Sequence, residues 1–201
     1  LYINGIGVAS FVTETKMLAH LPIVLAHEPR RFLVICFGVG TTLRSASRHE
    51  GLEVVAVDLV PDVFDYFPLS HADADIVTAK PEVSFVTADG RNYLLTHPEP
   101  FDVITLDPSP PLHAAGMVNL YTREFFELCR SRLSPGGVCC LWVPPESKSQ
   151  VAMVLKTFID VFPGASLWGG IEYPGFYIIG GFAPVVMTRE SLDSVVARLA
   201  E

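Results

Sequence analysis

The stretch Phe32-Leu33-Val34-Ile35-Cys36-Phe37-Gly38-Val39-Gly40 decides the fold. Six apolar residues in a row suit a strand buried on both faces, and such strands belong to parallel sheets covered by helices. Gly38-Val39-Gly40 turns the chain at once, and Thr41 to His49 reads as a helix. The same alternation repeats downstream. Val54 to Val57 is a second strand ending at Asp58, with a helix expected from Pro61, a favoured first-turn residue. Val83 to Thr87 is a third, closed by Asp89-Gly90, with a short helix from Arg91 to Leu95. Phe101 to Leu106 is a fourth, ending at Asp107.

Farther out, Thr122 to Leu133 reads as a helix stopped by Pro135-Gly136-Gly137, and Val138 to Val143 as a fifth strand. Gln150 to Phe162 is amphipathic, with Val151, Val154, Leu155, Phe158 and Val161 at helical spacing. Ser166 to Ile171 and Phe176 to Phe182 are two last strands joined by a Pro-Gly turn, and Arg189 to Leu199 is a closing helix. With no helix between them, the last two strands should be antiparallel. Upstream, Asn4-Gly5 between apolar residues signals a hairpin. Thr13 is a candidate cap for a helix running to about Ala26, with Met17, Leu18, Leu21 and Leu25 on one side. The fold class is therefore α/β. It is a doubly wound, Rossmann-like sheet of the AdoMet-dependent transferase pattern, mostly parallel with an antiparallel last strand, after a short N-terminal β-hairpin. Residues 1–28 form the N-terminal hairpin and helix, and residues 29–201 the Rossmann-like nucleoside-binding domain.

Composition narrows the functional classes. Hydrophobic residues make up 50% of 201 and charged residues 18%, which excludes a disordered, collagen-like or coiled-coil chain. The mean hydropathy of +0.39 points to a sheet buried on both faces, an apolar association surface, or both. The longest uncharged run, Tyr173 to Thr188, is broken by Pro174, Gly175, Gly180, Gly181 and Pro184, so it reads as strand and turn rather than a membrane span. The net charge of −8 argues against a nucleic-acid groove and suits solubility or a cationic substrate. Cys36, Cys129, Cys139 and Cys140 lack C-x-x-C spacing and read as small core residues in a reducing compartment. No signal peptide is visible, and the localisation expected is cytoplasmic. The chain begins at Leu1 rather than Met, as a piece of a longer protein would.

In an open α/β sheet, ligands bind beyond the carboxyl ends of the strands, where the strand order reverses. Four features converge there. Gly38 and Gly40 let a ligand approach the backbone, although a tight turn explains them as well. Asp58 is placed to accept both ribose hydroxyls of an adenosine. Asp89, with Gly90, either faces an adenine amino group, caps the next helix, or does both. Asp107, in Leu106-Asp107-Pro108-Ser109-Pro110-Pro111, ends the central strand before a rigid proline loop, and His113 stands in that loop. G-x-G-x-x-G, phosphate-loop and G-x-S-x-G motifs are absent. His20 and His27 lack a third ligand, so no metal is expected.

These stretches resemble the spermidine synthase (polyamine aminopropyltransferase) family. The residues that carry it are Phe32 to Arg44, Val57-Asp58, Asp89-Gly90, Phe101 to Pro111 and Leu120-Tyr121-Thr122-Arg123-Glu124-Phe125-Phe126, with Asn4-Gly5 and His20-Leu21-Pro22 fitting the N-terminal part. The likeness is greatest to the branch fused to a multispanning membrane domain, where D-P-x-P-P, N-L-Y-x-x-E-F and D-G-R-N-Y-L recur. Such a chain would be tethered to a membrane through segments outside this sequence. The resemblance implies transfer of an aminopropyl group from decarboxylated S-adenosylmethionine to an amine such as putrescine, and a homodimer. Asp58 would hold the ribose, Asp89 the adenine and Asp107 the attacking amine, with Glu14 and Tyr121 on the acceptor side. Three positions depart from the family pattern. Val39 stands where the glycine loop carries an Asp, Pro110 replaces the second Asp of the catalytic loop, and Glu14 and Lys16 occupy the places of a Tyr and a Glu. Three readings stay open: that transferase; a methyltransferase using S-adenosylmethionine itself, Asp107-Pro108 being similar to a D-P-P-Y loop without its aromatic; and a non-catalytic domain binding a nucleoside or polyamine.

Overall fold

The computed structural model describes residues 2–3, 6–7, 12–108 and 118–197. Two short strands come first, β1 (Tyr2–Ile3) and β2 (Ile6–Gly7), antiparallel with Ile3 opposite Ile6. The Asn4-Gly5 turn lies outside the described residues. Helix α1 (Thr13–Leu25) follows. Thr13 is its first residue rather than its cap. Extended Val12 takes the cap position without a side-chain bond, and the Thr13 hydroxyl instead bonds the Glu172 carboxylate. Pro22 lies inside α1, where its missing N–H leaves the Leu18 carbonyl without the usual helical donor. The buried Thr105 hydroxyl supplies one at 2.9 Å, which pins α1 onto the middle of the sheet.

The sheet has seven strands: β3 (Arg31–Ile35), β4 (Glu53–Asp58), β5 (Val83–Thr87), β6 (Phe101–Leu106), β7 (Leu133–Val143), β8 (Ser166–Gly169) and β9 (Phe176–Gly181). Their order is β5-β4-β3-β6-β7-β9-β8. All pairs up to β7 are parallel, and β9 pairs antiparallel with both β7 and β8. The chain runs outward from β3 through β4 to β5, then returns to place β6 on the other side of β3. The reversal falls between β3 and β6, and their carboxyl ends flank the crevice that results.

Helices cover both faces: α2 (Thr41–Ala46), α3 (Asp62–Asp65), α4 (Phe67–Ser70), α5 (Ala74–Thr78), α6 (Gly90–Thr96), α7 (Arg123–Ser131), α8 (Lys148–Val161) and α9 (Arg189–Val196), with a 3-10 turn at Val118–Tyr121. Period-two alternation in β3 divides the core. Phe32 and Val34 pack with Leu18 and Leu21 of α1 and Leu43 of α2. Leu33 and Ile35 pack with Leu94 of α6, Phe125 and Phe126 of α7 and Phe158 of α8. Each such side chain contributes about 1.5–3 kcal/mol on burial.

Two local expectations are corrected. The helix expected from Pro61 is three short turns, α3 to α5. The helix expected to Leu133 ends at Ser131, and Pro135-Gly136-Gly137 lies within β7. Phe101 pairs with Leu133 but Val103 with Val138, so the extra residues form a bulge, with Gly136 at φ +82. All four cysteines are free, with Cys129, Cys139 and Cys140 buried. Among the described residues, no helix is long and apolar enough to cross a membrane.

Candidate active site

The glycine loop sits at the end of β3. Cys36, Gly38 and Gly40 all have positive φ (+72, +61 and +81), and the Gly40 N–H closes the turn on the Phe37 carbonyl at 2.9 Å. A Cβ at Gly40 would lie 2.4 Å from Phe67 Cδ2 and 2.6 Å from Phe37 Cζ, so the backbone angle and the space both require glycine. Gly90 is constrained by space alone. A Cβ there would lie 2.4 Å from Ile35 Cγ2, because the start of α6 rests against the end of β3.

Two carboxylates are organised by backbone N–H groups. Asp58, at the end of β4, accepts from the Phe37 N–H through Oδ2 (2.8 Å) and from the Val60 N–H through Oδ1 (3.0 Å). It ties the glycine loop to its own strand, and its remaining lone pairs stay available to hydroxyl donors. Asp89 caps α6, with Oδ1 accepting from the Asn92 N–H at 2.9 Å. Capping is thus an established duty of Asp89.

Asp107 is held differently. Its N–H donates to the Ile35 carbonyl at 3.3 Å, which fixes it across the crevice from the glycine loop. Burial pushes its carboxyl from the ordinary 3.8 up to about 7. Between the carboxylates lies Cys36, whose thiol is raised well above its usual range by burial and then by the charges of Asp58, Asp107 and Asp89. That thiol stays protonated and is no nucleophile. One side chain feels all three carboxylates, so β3, β4, β6 and the start of α6 converge on one place.

Behind Asp107, the buried Tyr121 hydroxyl donates to the Pro108 carbonyl at 3.4 Å. Burial, then Cys36 and Asp107, raises that phenol far above its usual range. Tyr121 also lines a groove of about 460 Å3 between α7 and α8. Glu14 is buried in the first turn of α1. Its Oε1 accepts from the N–H groups of Ile171 (2.8 Å), Glu172 (2.6 Å) and Tyr173 (3.0 Å). Burial acts to raise the Glu14 carboxyl, but these backbone bonds together outweigh it and hold the group below its ordinary value. The structure therefore shows Glu14 bolting α1 to the loop between β8 and β9, with Oε2 enclosed and unbonded.

Sequence reasoning missed Tyr177, which reads as a core aromatic of the last strand. Its hydroxyl donates to the Glu14 backbone carbonyl at 3.1 Å. Burial, then Glu14, Cys140 and Asp107, raises that phenol, so it spans from α1 toward Asp107. Cys36 was missed too, since nothing in a cysteine announces a positive φ. His20 meets His49 at 2.9 Å rather than His27. Among the described residues no group of three His, Cys, Asp or Glu side chains is placed to hold a metal. Pro110 and His113 lie outside the described residues.

A reversed-order parallel sheet with a glycine loop and carboxylates at its strand ends defines a Rossmann-like domain of the methyltransferase type. A spermidine synthase bound to the transition-state analogue AdoDATO superposes with TM-score 0.76 at 24% identity, covering 94% of this chain and 72% of the other. Human methyltransferase-like protein 13 bound to SAH gives 0.68 at 18%, covering 92% and 87%. Within that class the chain belongs to the spermine/spermidine synthase family, whose domain matches residues 12–164. A polyamine aminopropyltransferase of Nitrosomonas europaea is 34% identical over 72% of this chain and 45% of its own length. A putrescine N-methyltransferase of Nicotiana attenuata is 33% identical over 63% of this chain and 34% of its own. The chain spans about half the length, or less, of these curated relatives.

Proposed function

We propose that this domain transfers an aminopropyl group from decarboxylated S-adenosylmethionine to a small amine such as putrescine. The observation that carries the proposal is Asp107, a carboxyl at the strand-order crevice with its ionisation near 7. An alkyl ammonium ionises near ~10.4 and cannot attack carbon until it loses a proton. A desolvated carboxyl near 7 accepts that proton more readily than an ordinary one at 3.8, by about 4 kcal/mol at 1.36 kcal/mol per pKa unit. The amine nitrogen then donates its lone pair to the methylene carbon beside sulfonium. The carbon–sulfur bond breaks with its electrons going to sulfur, and neutral methylthioadenosine leaves. In this reading Asp58 holds the ribose and Asp89 the adenine, with Gly38, Gly40 and Gly90 allowing close approach. Tyr121 fixes the Asp107 loop, and Glu14 shapes the acceptor side through its hold on residues 171–173.

Two finer statements belong to the same reading. Exposed Leu167, Ile171, Tyr173 and Phe176 on and beside the edge strand β8 support association with a second copy of the chain. The stretches Asp107-Pro108-Ser109-Pro110-Pro111 and Asp89 to Leu94 support membership of the branch joined to a membrane domain. Mass spectrometry of products from putrescine, offered decarboxylated S-adenosylmethionine and S-adenosylmethionine in parallel, tests the reaction. The expected product is spermidine from the first donor. N-methylputrescine from the second would replace the proposal with methyl transfer, and no product from either would leave a binding domain.

A further inference from the structure

Helix α4 and the residues after it brace the glycine loop and α2 at three points. Phe67 fills the space over Gly40 that a Cβ would occupy. Asp73 is gripped by two arginines of the α2 region, Arg44 Nε at 2.6 Å and Arg48 at 2.7 Å. Between them the half-buried His71 ring packs against Phe67, with centroids 5.3 Å apart. Its Nε2 lies 3.4 Å from the Thr41 hydroxyl, and the ring also makes a hydrogen bond to the Val39 carbonyl. Val39 and Thr41 flank Gly40, so one side chain touches both shoulders of the glycine loop.

We propose that His71 is a positioning residue for the donor. Its imidazole holds the Val39 carbonyl and the Thr41 hydroxyl so that the loop presents a fixed surface to a cationic nucleoside. This rests on the donor site described under Proposed function. A neutral ring has one N–H and one bare nitrogen. The role requires the tautomer whose N–H serves the Val39 carbonyl and whose bare Nε2 accepts from Thr41. Burial, and then the Arg44 charge, lowers the ionisation of His71 below the ordinary 6.5, while the Val39 bond and Asp73 oppose this. Among the described residues, the charged groups that bear on it include Arg44, from α2, and Asp73, from its own segment. Protonation takes away the acceptor and places a positive charge beside a loop that receives a sulfonium.

The test measures binding by calorimetry, apart from turnover, with methylthioadenosine as the neutral probe and decarboxylated S-adenosylmethionine as the cationic one. His71→Leu removes both bonds and should weaken methylthioadenosine about three- to tenfold, the worth of a hydrogen bond. His71→Gln carries a donor and an acceptor and should restore wild-type affinity. Affinity for the cationic donor should fall in wild type as pH drops below 6.5. Asp107 titrates in the same region, so the readout is the difference between wild type and His71→Gln, which retains Asp107. Superimposable pH profiles for those two proteins, or unchanged affinity in His71→Leu, overturn the proposal. If His71→Leu fails to fold, the pH comparison decides by itself. Failure of wild type to bind either nucleoside overturns both this inference and the donor site. Intact His71 effects without turnover would remove the proposed reaction and leave the inference standing.

Discussion

The two halves of the crevice use carboxylates in opposite ways. On the side proposed for the nucleoside, Asp58 accepts backbone N–H groups from the glycine loop and from its own loop, and Asp89 accepts one from the helix it caps, so each is oriented before any ligand arrives. On the side proposed for the acceptor, Asp107 is half-buried and desolvation raises its carboxyl to about 7. A carboxylate held by N–H donors is suited to binding. One pushed up by desolvation is suited to moving a proton. Glu14 lies on the acceptor side in sequence expectation, yet it is held as the binding carboxylates are, by three backbone N–H groups. Its local role is structural, and this leaves Asp107 as the carboxylate there with a raised ionisation.

Removing the proton acceptor should give the largest effect. Asp107→Asn keeps the size of the side chain and should lower kcat by ~10²–10⁴, with the methylthioadenosine melting shift preserved. Activity equal to wild type would break the division between the halves. Next comes Gly40→Ala, which combines a positive φ with contact against Phe67 and Phe37. It should cost about 2–5 kcal/mol, read in urea melts, and abolish nucleoside binding. A stable variant that still binds would show that the loop gives way easily.

The pH dependence of stability sharpens the contrast. Asp107 binds its proton more tightly folded than unfolded, so its favourable contribution is complete below pH 3.8 and is lost as pH rises through about 7. In ligand-free protein this loss reaches up to about 4 kcal/mol, and Asp107→Asn should remove it from the pH profile of urea unfolding. Asp58→Asn should be milder. It keeps an acceptor for one N–H but loses the charge, and methylthioadenosine should bind about ten- to a hundredfold more weakly.

The smallest effect belongs to the brace. The Arg44 hydrogen bond, followed by the charges of Arg44 and Arg48 against opposing burial, holds the Asp73 carboxyl below its ordinary value. Its stabilisation is present above pH 3.8 and is lost as pH falls through the lowered folded value. Because the pair is partly exposed, Asp73→Asn should cost less than about 1 kcal/mol in thermal melts near neutral pH.

The sequence by itself determined the sheet and which residues gather at its carboxyl edge. Phe32 to Phe37, Val54 to Val57, Val83 to Thr87 and Phe101 to Leu106 are unbroken or nearly unbroken β-formers, each ending in a turn or an acid, and local pattern suffices to read such elements. The parallel order and the clustering of Asp58, Asp89 and Asp107 follow from that alternation through general rules of connection. Other features depend on neighbours distant in sequence. The break of α3 to α5 brings Phe67 over Gly40, a contact no local window contains. The bulge at Pro135-Gly136-Gly137 exists because β7 must pair with β6 along its length, although the same residues read locally as a helix stop. Tertiary structure alone decided what each carboxylate does. Residues 171–173 deliver N–H groups to Glu14 across about 157 residues of chain, while among the described residues no such donor meets the Asp107 carboxyl to offset its lost water. Hydrogen bonding and desolvation set a carboxyl's ionisation, and both come from the packed neighbourhood rather than from the residue itself.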